Sequence, residues 1–184
     1  RRQRQMCIRD SLKEGCQFSS CGTDNDIEFN GGEVDIYGLE LTAAHQFSLN
    51  NGWDMPISLV YTYTDSEFKT SFESGFDMWG AIEAGDELPY LPDSQASLSL
   101  GIISDKWEVH LITRYVAEML EASGDGVDLS GVSTESLVTV DLSANYQLHN
   151  NGQIYVKVDN IFDEQEIVSR RPFGARPSMS LIHI

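Results

Sequence analysis

The chain has 184 residues, with 12 basic and 29 acidic side chains, a formal net charge of −17, and 41% hydrophobic and 10% aromatic content. That length admits one domain or a piece of a larger one, and so acidic a balance argues against nucleic acid as a partner, because a phosphate backbone requires a basic footprint. No run of 18 apolar residues exists, which removes a transmembrane helix but leaves spanning strands open, since these alternate and average to low hydropathy.

Residues 1–22 differ from the rest. Arg1, Arg2, Arg4, Arg9 and Lys13 supply five of the 12 basic residues; from residue 14 onward the balance is seven basic against 28 acidic. The stretch shows neither strand alternation nor a capped helical stripe, and it resembles translated adapter sequence of the kind that contaminates assembled gene fragments. It is expected to be a non-native or disordered basic tail; a genuine basic tail is the alternative. No apolar core follows the basic residues, so no signal peptide is expected here. Cys7, Cys16 and Cys21 are an odd set and no disulfide framework. Cys16 and Cys21 could close a small loop in an oxidising compartment, but incidental thiols are the plainer reading. His45, His110, His149 and His183 are scattered singly. No spacing matches a zinc site, so no metal centre and no cofactor are expected.

From residue 33 onward, period two dominates. In 36–47 the odd positions are Tyr37, Leu39, Leu41, Ala43, His45 and Phe47. In 57–64 they are Ile57, Leu59, Tyr61 and Tyr63. Segment 96–103 carries Ala96, Leu98, Leu100 and Ile102, and 107–115 carries Trp107, Val109, Leu111, Thr113 and Tyr115. Segment 138–148 carries Val138, Val140, Leu142, Ala144, Tyr146 and Leu148, and 154–159 carries Ile154, Val156 and Val158. This face holds no formal charge. Glu40, Glu108, Arg114, Asp141, Lys157 and Asp159 all fall on the opposite face, the sorting that a sheet with one apolar face requires.

Connections alternate in length. Asn50-Asn51-Gly52, Ser104-Asp105-Lys106 and Asn150-Asn151-Gly152 read as tight turns, Asn-Gly being the strongest short hairpin signal. The links near 65–94, 118–136 and 160–177 are long. Such alternation is the rhythm of an antiparallel up-and-down transmembrane β-barrel. The apolar face either packs on a second sheet or faces lipid, and alternation serves both. Aromatic placement favours lipid. Tyr37 and Phe47 stand ten residues apart, about 33 Å along a strand and about 24 Å once tilted, close to the apolar band between aromatic girdles. Trp107 and Tyr115 bracket another strand, Tyr61 and Tyr63 mark the long-link end and Tyr146 the short-turn end.

Acid accumulates in the long links: Asp65, Glu67, Glu73, Asp77, Glu83, Asp86, Glu87 and Asp93 in the first, and Glu118, Glu121, Asp125, Asp128 and Glu135 in the second. Asp125-Gly126-Val127-Asp128 is too sparse for an EF-hand loop. Loose divalent binding stays open beside the plainer reading of a solvated acidic loop. Phe68, Phe72, Phe76 and Trp79 have the spacing of one helical stripe, which Gly75 weakens. They serve either local packing, the plainer reading, or an aromatic ligand surface.

Val158-Asp159-Asn160-Ile161-Phe162-Asp163, followed by Val168-Ser169-Arg170-Arg171-Pro172-Phe173-Gly174-Ala175-Arg176-Pro177, resembles the C-terminal end of TonB-dependent outer-membrane receptors. There an Asn-apolar-Phe-Asp step precedes the last extracellular loop and a G-x-x-P stretch introduces the final strand. Gly85-Asp86-Glu87-Leu88-Pro89-Tyr90-Leu91-Pro92 before Gln95, and Gly32-Glu33-Val34 leading to Tyr37-Gly38-Leu39-Glu40-Leu41, resemble strand entries of the same family. The arrangement looks closest to the ferric dicitrate branch and covers about residues 23–177. The family ends on an aromatic residue, whereas this chain ends Ser180-Leu181-Ile182-His183-Ile184, so the last strand is expected to be cut short or replaced.

The resemblance implies residues 23–184 as the C-terminal part of a barrel. About six strands and a partial seventh, of about 22, would form an open curved sheet. It also implies a Gram-negative outer-membrane location, lipid contact, uptake of an iron chelate and a TonB-type energy-coupling partner reached through an N-terminal region not in this chain. Glu40, Glu108, Arg114, Asp141, Lys157 and Asp159 would then face the lumen, against a plug or simply solvated. Arg170, Arg171 and Arg176 bring guanidinium forks that suit anionic chelates; charge compensation for the acidic loops is the plainer role. No nucleophile–base pair, paired-carboxylate site or phosphate loop is legible, so a non-enzyme is expected. A passive porin-like channel and a secreted β-sandwich binding module are the other readings.

Overall fold

A computed structural model describes the backbone of residues 33–50, 52–73, 80–123, 133–149, 152–169, 176–178 and 181–183, together with Leu12–Lys13 and Glu28–Phe29. The alternating segments become seven strands: β1 (Val34–Leu49), β2 (Trp53–Phe68), β3 (Ser94–Ile103), β4 (Trp107–Val116), β5 (Leu137–His149), β6 (Gly152–Asp159) and β7 (Leu181–His183). They form one antiparallel sheet in strict sequence order, β1 to β7. The described residues contain no helix. Three two-stranded ribbons complete the structure: Leu12–Lys13 with Glu28–Phe29, Phe72–Glu73 with Ala81–Ile82, and Ile167–Ser169 with Arg176–Pro177.

Register carries the apolar face across the whole sheet. One row runs His45, Ile57, Leu100, Leu111, Leu142, Val158 and Ile182, one residue from each strand. A parallel row runs Leu41, Tyr61, Ala96, Tyr115 and Val138. Because side chains alternate, a slip of one residue at a hairpin changes which side a strand's apolar set faces; the one shift among these pairings, between Gly152 and Gln153 beside the last tight turn, brings Ile154 opposite Tyr146 and keeps the apolar residues on one face. At the short-turn end Trp107 and Tyr146 are register partners with ring centroids 4.3 Å apart, and His45 meets Phe47 edge-on at 4.4 Å.

Among the described residues nothing packs over this face. Leu39 is 64% exposed and Leu41 52%, and Ile102, Val138 and Ile154 are each nearly half exposed. The buried hydrophobic residues among those described are Phe68, Ile82 and Ala122, all at the end of the long connections. A sandwich would bury this face against a second sheet. The structure has an apolar face without a second protein layer, as a lipid-facing wall requires, and the sandwich reading falls.

The first hairpin is longer than its alternation. β1 and β2 pair over 16 residues each, about 50 Å of strand or about 36 Å when tilted, some 10 Å more than the apolar band. The strands overrun the alternation at both ends, and most of the added charge lies at the long-connection end. The Tyr37 hydroxyl meets the Asp65 carboxylate across the hairpin, and the Lys69 ammonium pairs with Glu67 and, at 3.4 Å, with Asp35. Aromatics therefore close the apolar band and an acidic rim stands above it. Pro56, inside β2, lacks an amide donor. The ladder to β3 is interrupted there, between Asp54–Ile103 and Ile57–Leu100, and Gly101 makes room: a Cβ on it would come 2.7 Å from Pro56 Cγ.

The aromatic spacing at 68–79 does not make a helix where the structure describes it. Phe72 lies in a ribbon with Ile82, and its ring packs edge-on against the buried Phe68 at 5.6 Å. Phe68 and Phe72 pack locally, the plainer of the two readings, on extended backbone that pairs Phe72 with Ile82. Phe76 and Trp79 lie outside the described residues, as do Cys7, Cys16, Cys21 and the Asp125–Asp128 segment.

Candidate functional site

Apart from the charged rim of the first hairpin, the ionic groups of the described part of the sheet concentrate on the polar face. Near the long-connection end, Arg114 on β4 forms an ion pair with Asp141 on β5, its diagonal neighbour, and on β6 Lys157 pairs with Asp159 at 2.8 Å. These four side chains, with His110 and Asn160, line one concavity of about 430 Å³. The Arg114 side chain is half exposed and Asp141 only 13% exposed. The cation thus reaches toward the open side while its partner is held against the wall. Summed over both pairs the charge is zero, so the two pairs give the patch no net sign.

Asn160 closes the upper edge of this concavity. It is 3% exposed and holds φ of 53°, a left-handed conformation that Asn tolerates better than most residues. Its amide nitrogen donates to Asp141 Oδ1 at 2.8 Å. Its side-chain Nδ2 donates to the Glu164 carbonyl at 2.9 Å, and Oδ1 accepts from the Glu164 amide at 3.1 Å. Asp163, also left-handed at φ 52°, donates its amide to the Asn160 carbonyl at 3.0 Å. The Asn-Ile-Phe-Asp step is therefore a strand exit stapled by one side chain.

The long connections are knitted to one another. Tyr90 donates its amide to the Leu120 carbonyl at 2.7 Å, the Ser123 hydroxyl donates to the Glu87 carbonyl, and Met119 and Thr134 exchange bonds of 2.9 and 3.0 Å. Glu135 and Ile167 exchange two bonds of 3.0 Å between the second and third connections. Glu166 lies against Glu135, and shared hydrogen bonding with that second carboxylate raises its pKa above the usual carboxylate value. Among the described residues no group of three or more His, Cys, Asp or Glu side chains forms a metal site.

The family model described as TonB dependent receptor-like, beta-barrel, matches residues 15–161. The chain belongs to that family. A catecholate siderophore receptor, Fiu, from two Escherichia coli strains is 25% identical over 155 residues, covering 83% of this chain and 20% of the receptor. The chain thus spans about a fifth of the length of the curated relatives it matches. The crystal structure of the ferric-catecholate import receptor Fiu from K12 E. coli aligns with a TM-score of 0.62 at 20% identity, covering 87% of this chain and 22% of that one. The siderophore receptor PiuA from Acinetobacter baumannii aligns at 0.58 and 20% identity, covering 81% and 21%. At those identities the structural likeness establishes the fold: part of a TonB-dependent receptor barrel, an open antiparallel sheet. None of these proteins is named for ferric dicitrate.

On this TonB-dependent receptor wall, all six sequence-predicted face residues lie on the polar side, but they do not form one site. Arg114, Asp141, Lys157 and Asp159 come together. Glu108 sits near the short-turn end, 3.0 Å from His110 Nε2. Glu40 stands on β1 opposite Thr62, three strands away from the cluster. Arg170 and Arg171 lie outside the described residues; Arg176 is described only by its backbone, paired with Ser169. Sequence reasoning did not single out Asn160 or His110 as members of the cluster. The available signal for Asn160 was an Asn directly after a strand, a residue type suited to left-handed backbone.

Proposed function

We propose that the intact protein is an outer-membrane receptor of a Gram-negative cell, taking up an iron chelate of the siderophore type through a lipid-embedded barrel. Energy comes from a TonB-type partner that acts on a region preceding this chain. The observation that carries the reading is the family match over residues 15–161, together with an apolar face left uncovered at Leu39, Leu41 and Val138. A relative named for catecholate siderophores supports such a chelate ahead of ferric citrate. The polar face lines the lumen, and the charges of Glu40, Glu108, Arg114, Asp141, Lys157 and Asp159 belong to that wall. The protein makes and breaks no bond; its work is capture and passage.

Arg170, Arg171 and Arg176 are the proposed contacts to the chelate, because three of the seven basic residues beyond residue 13 fall in this connection and guanidinium groups pair in two-pronged fashion with anionic oxygens. The test uses the intact receptor on iron-starved cells, with radiolabelled ferric catecholate and ferric citrate as probes. Replacing all three Arg by Gln is expected to weaken catecholate binding by about tenfold or more, the effect of losing one or two charge-assisted hydrogen bonds. Unchanged affinity refutes the Arg contacts. Uptake of citrate alone refutes the siderophore assignment.

A further inference from the structure

Asp141 serves two different partners with its two oxygens. Oδ2 accepts from the Arg114 guanidinium on the polar face, and Oδ1 accepts from the backbone amide of Asn160 at 2.8 Å. Arg114 and Asp141 lie 27 residues apart and Asp141 and Asn160 lie 19 apart, so β4, β5 and the exit of β6 meet at one carboxylate. Asn160 in turn fixes the backbone beyond it. Its side chain binds the backbone carbonyl and amide of Glu164, its carbonyl takes the Asp163 amide, and Ile161 donates to the Val140 carbonyl at 2.8 Å. Side chains with one acceptor and one donor end cannot replace a carboxylate between two donors.

We infer that Asp141 is a positioning residue for the last long connection: through Asn160 it sets where residues 161–168 leave the wall, and it links that exit to Arg114 on the interior face. This rests on the barrel reading above and not on the identity of the cargo. With Arg114 engaged, the Asp141 carboxylate is held in orientation, and a charged acceptor binds an amide about twice as strongly as a neutral one. The interior surface and the outward-facing connection are thus joined by two hydrogen bonds through a single side chain, that of Asp141.

Hydrogen exchange of the intact receptor in detergent or lipid vesicles reads this link. Peptides covering 158–168 report the exit, and peptides from β1 and β2 serve as the reference for global stability. Asp141→Asn keeps shape and size but can satisfy only one of the two donors. It is expected to speed exchange at residues 160–164 by about tenfold or more, with β1 and β2 unchanged. The double variant Arg114→Asp with Asp141→Arg rebuilds the ion pair in reverse but turns a guanidinium toward the Asn160 amide, donor to donor. It is expected to recover the barrel's resistance to heat in gel-shift assays while leaving the exit unprotected. Wild-type exchange in Asp141→Asn, or full recovery of exit protection in the reversed pair, overturns the inference.

Asn160→Gly supplies a milder variant, because it keeps the left-handed backbone and the amide that Asp141 binds while removing the bridge to Glu164. Exchange is expected to rise at Glu164 and to stay slow at position 160. Equal loosening of both amides overturns the role of Asp141. Failure of the proposed Arg170, Arg171 and Arg176 contacts would appear as unchanged chelate affinity and leave this exchange pattern intact, so the two proposals fail separately.

Discussion

A Cβ placed on Gly38 would lie 2.2 Å from the Tyr63 carbonyl oxygen of the neighbouring strand. That atom is backbone, so it cannot swing aside as a flexible side chain would. Gly38→Ala is expected to destabilise the intact barrel by about 1–3 kcal/mol, the ordinary cost of overpacking, in reversible urea unfolding from lipid vesicles. Gly152→Ala serves as the control: its nearest neighbour for a new Cβ is Leu148 Cβ at 4.0 Å, and a change within about 0.5 kcal/mol is expected there. Gly38 and Asn160 share a property. Each is recognisable as a residue type in the sequence, but the atom that makes it necessary belongs to another strand, Tyr63 for one and Asp141 for the other. Residue roles of this kind were not legible, because turn signals show which strands are neighbours but not which backbone or side-chain atom each residue meets.

Strands, by contrast, were legible. Period-two alternation names the apolar face residue by residue, and register keeps every named residue on it from β1 to β6. The ends were less so. β1 and β2 run past the alternating core into charged residues such as Asp35 and Glu67, because backbone pairing continues wherever a partner strand is present and needs no apolar pattern. The helical spacing that Gly75 already weakened gives way, for the related reason, to a strand pairing of Phe72 with Ile82. The face assignment itself has a sharp test. Leu41 lies midway between Tyr37 and Phe47 on the uncovered face, and its chain neighbour Thr42 points the other way. Leu41→Arg is expected to cost about 2–4 kcal/mol, as a cation at the bilayer midplane does, and Thr42→Arg close to nothing. Folding measured in lipid vesicles checks both, and equal costs would place no lipid on the Leu41 side.

At the scale of the whole molecule the seven strands form an open sheet. β1 presents a full-length edge with no partner among the described strands, and at the far side β7 contributes three residues. Unpaired amide and carbonyl groups at such edges cannot be left in hydrocarbon. The chain by itself is therefore expected to yield no heat-modifiable, trypsin-resistant barrel when refolded into detergent or vesicles, whereas the intact receptor does; electrophoretic mobility with and without boiling distinguishes the two. What does pack as a core sits elsewhere, around Phe68, Ile82 and Ala122, where the long connections interlock. The outward rim is the part of this chain that builds a buried interior of its own.

The amino-acid order alone determined the strand class, the apolar and charged faces, the alternation of short and long links and the resemblance that the family match upheld. All of these are local: side-chain direction flips with each residue, and turn residues act where they stand. Only the three-dimensional arrangement decided that the apolar face has no protein layer over it, that four of six face charges gather near β5 while Glu40 and Glu108 stand apart, and that Asp141 holds Asn160. Those facts depend on which individual atoms meet across neighbouring strands and on what lies over a face, and spacing along one chain, which marks turns and strand order, does not record either.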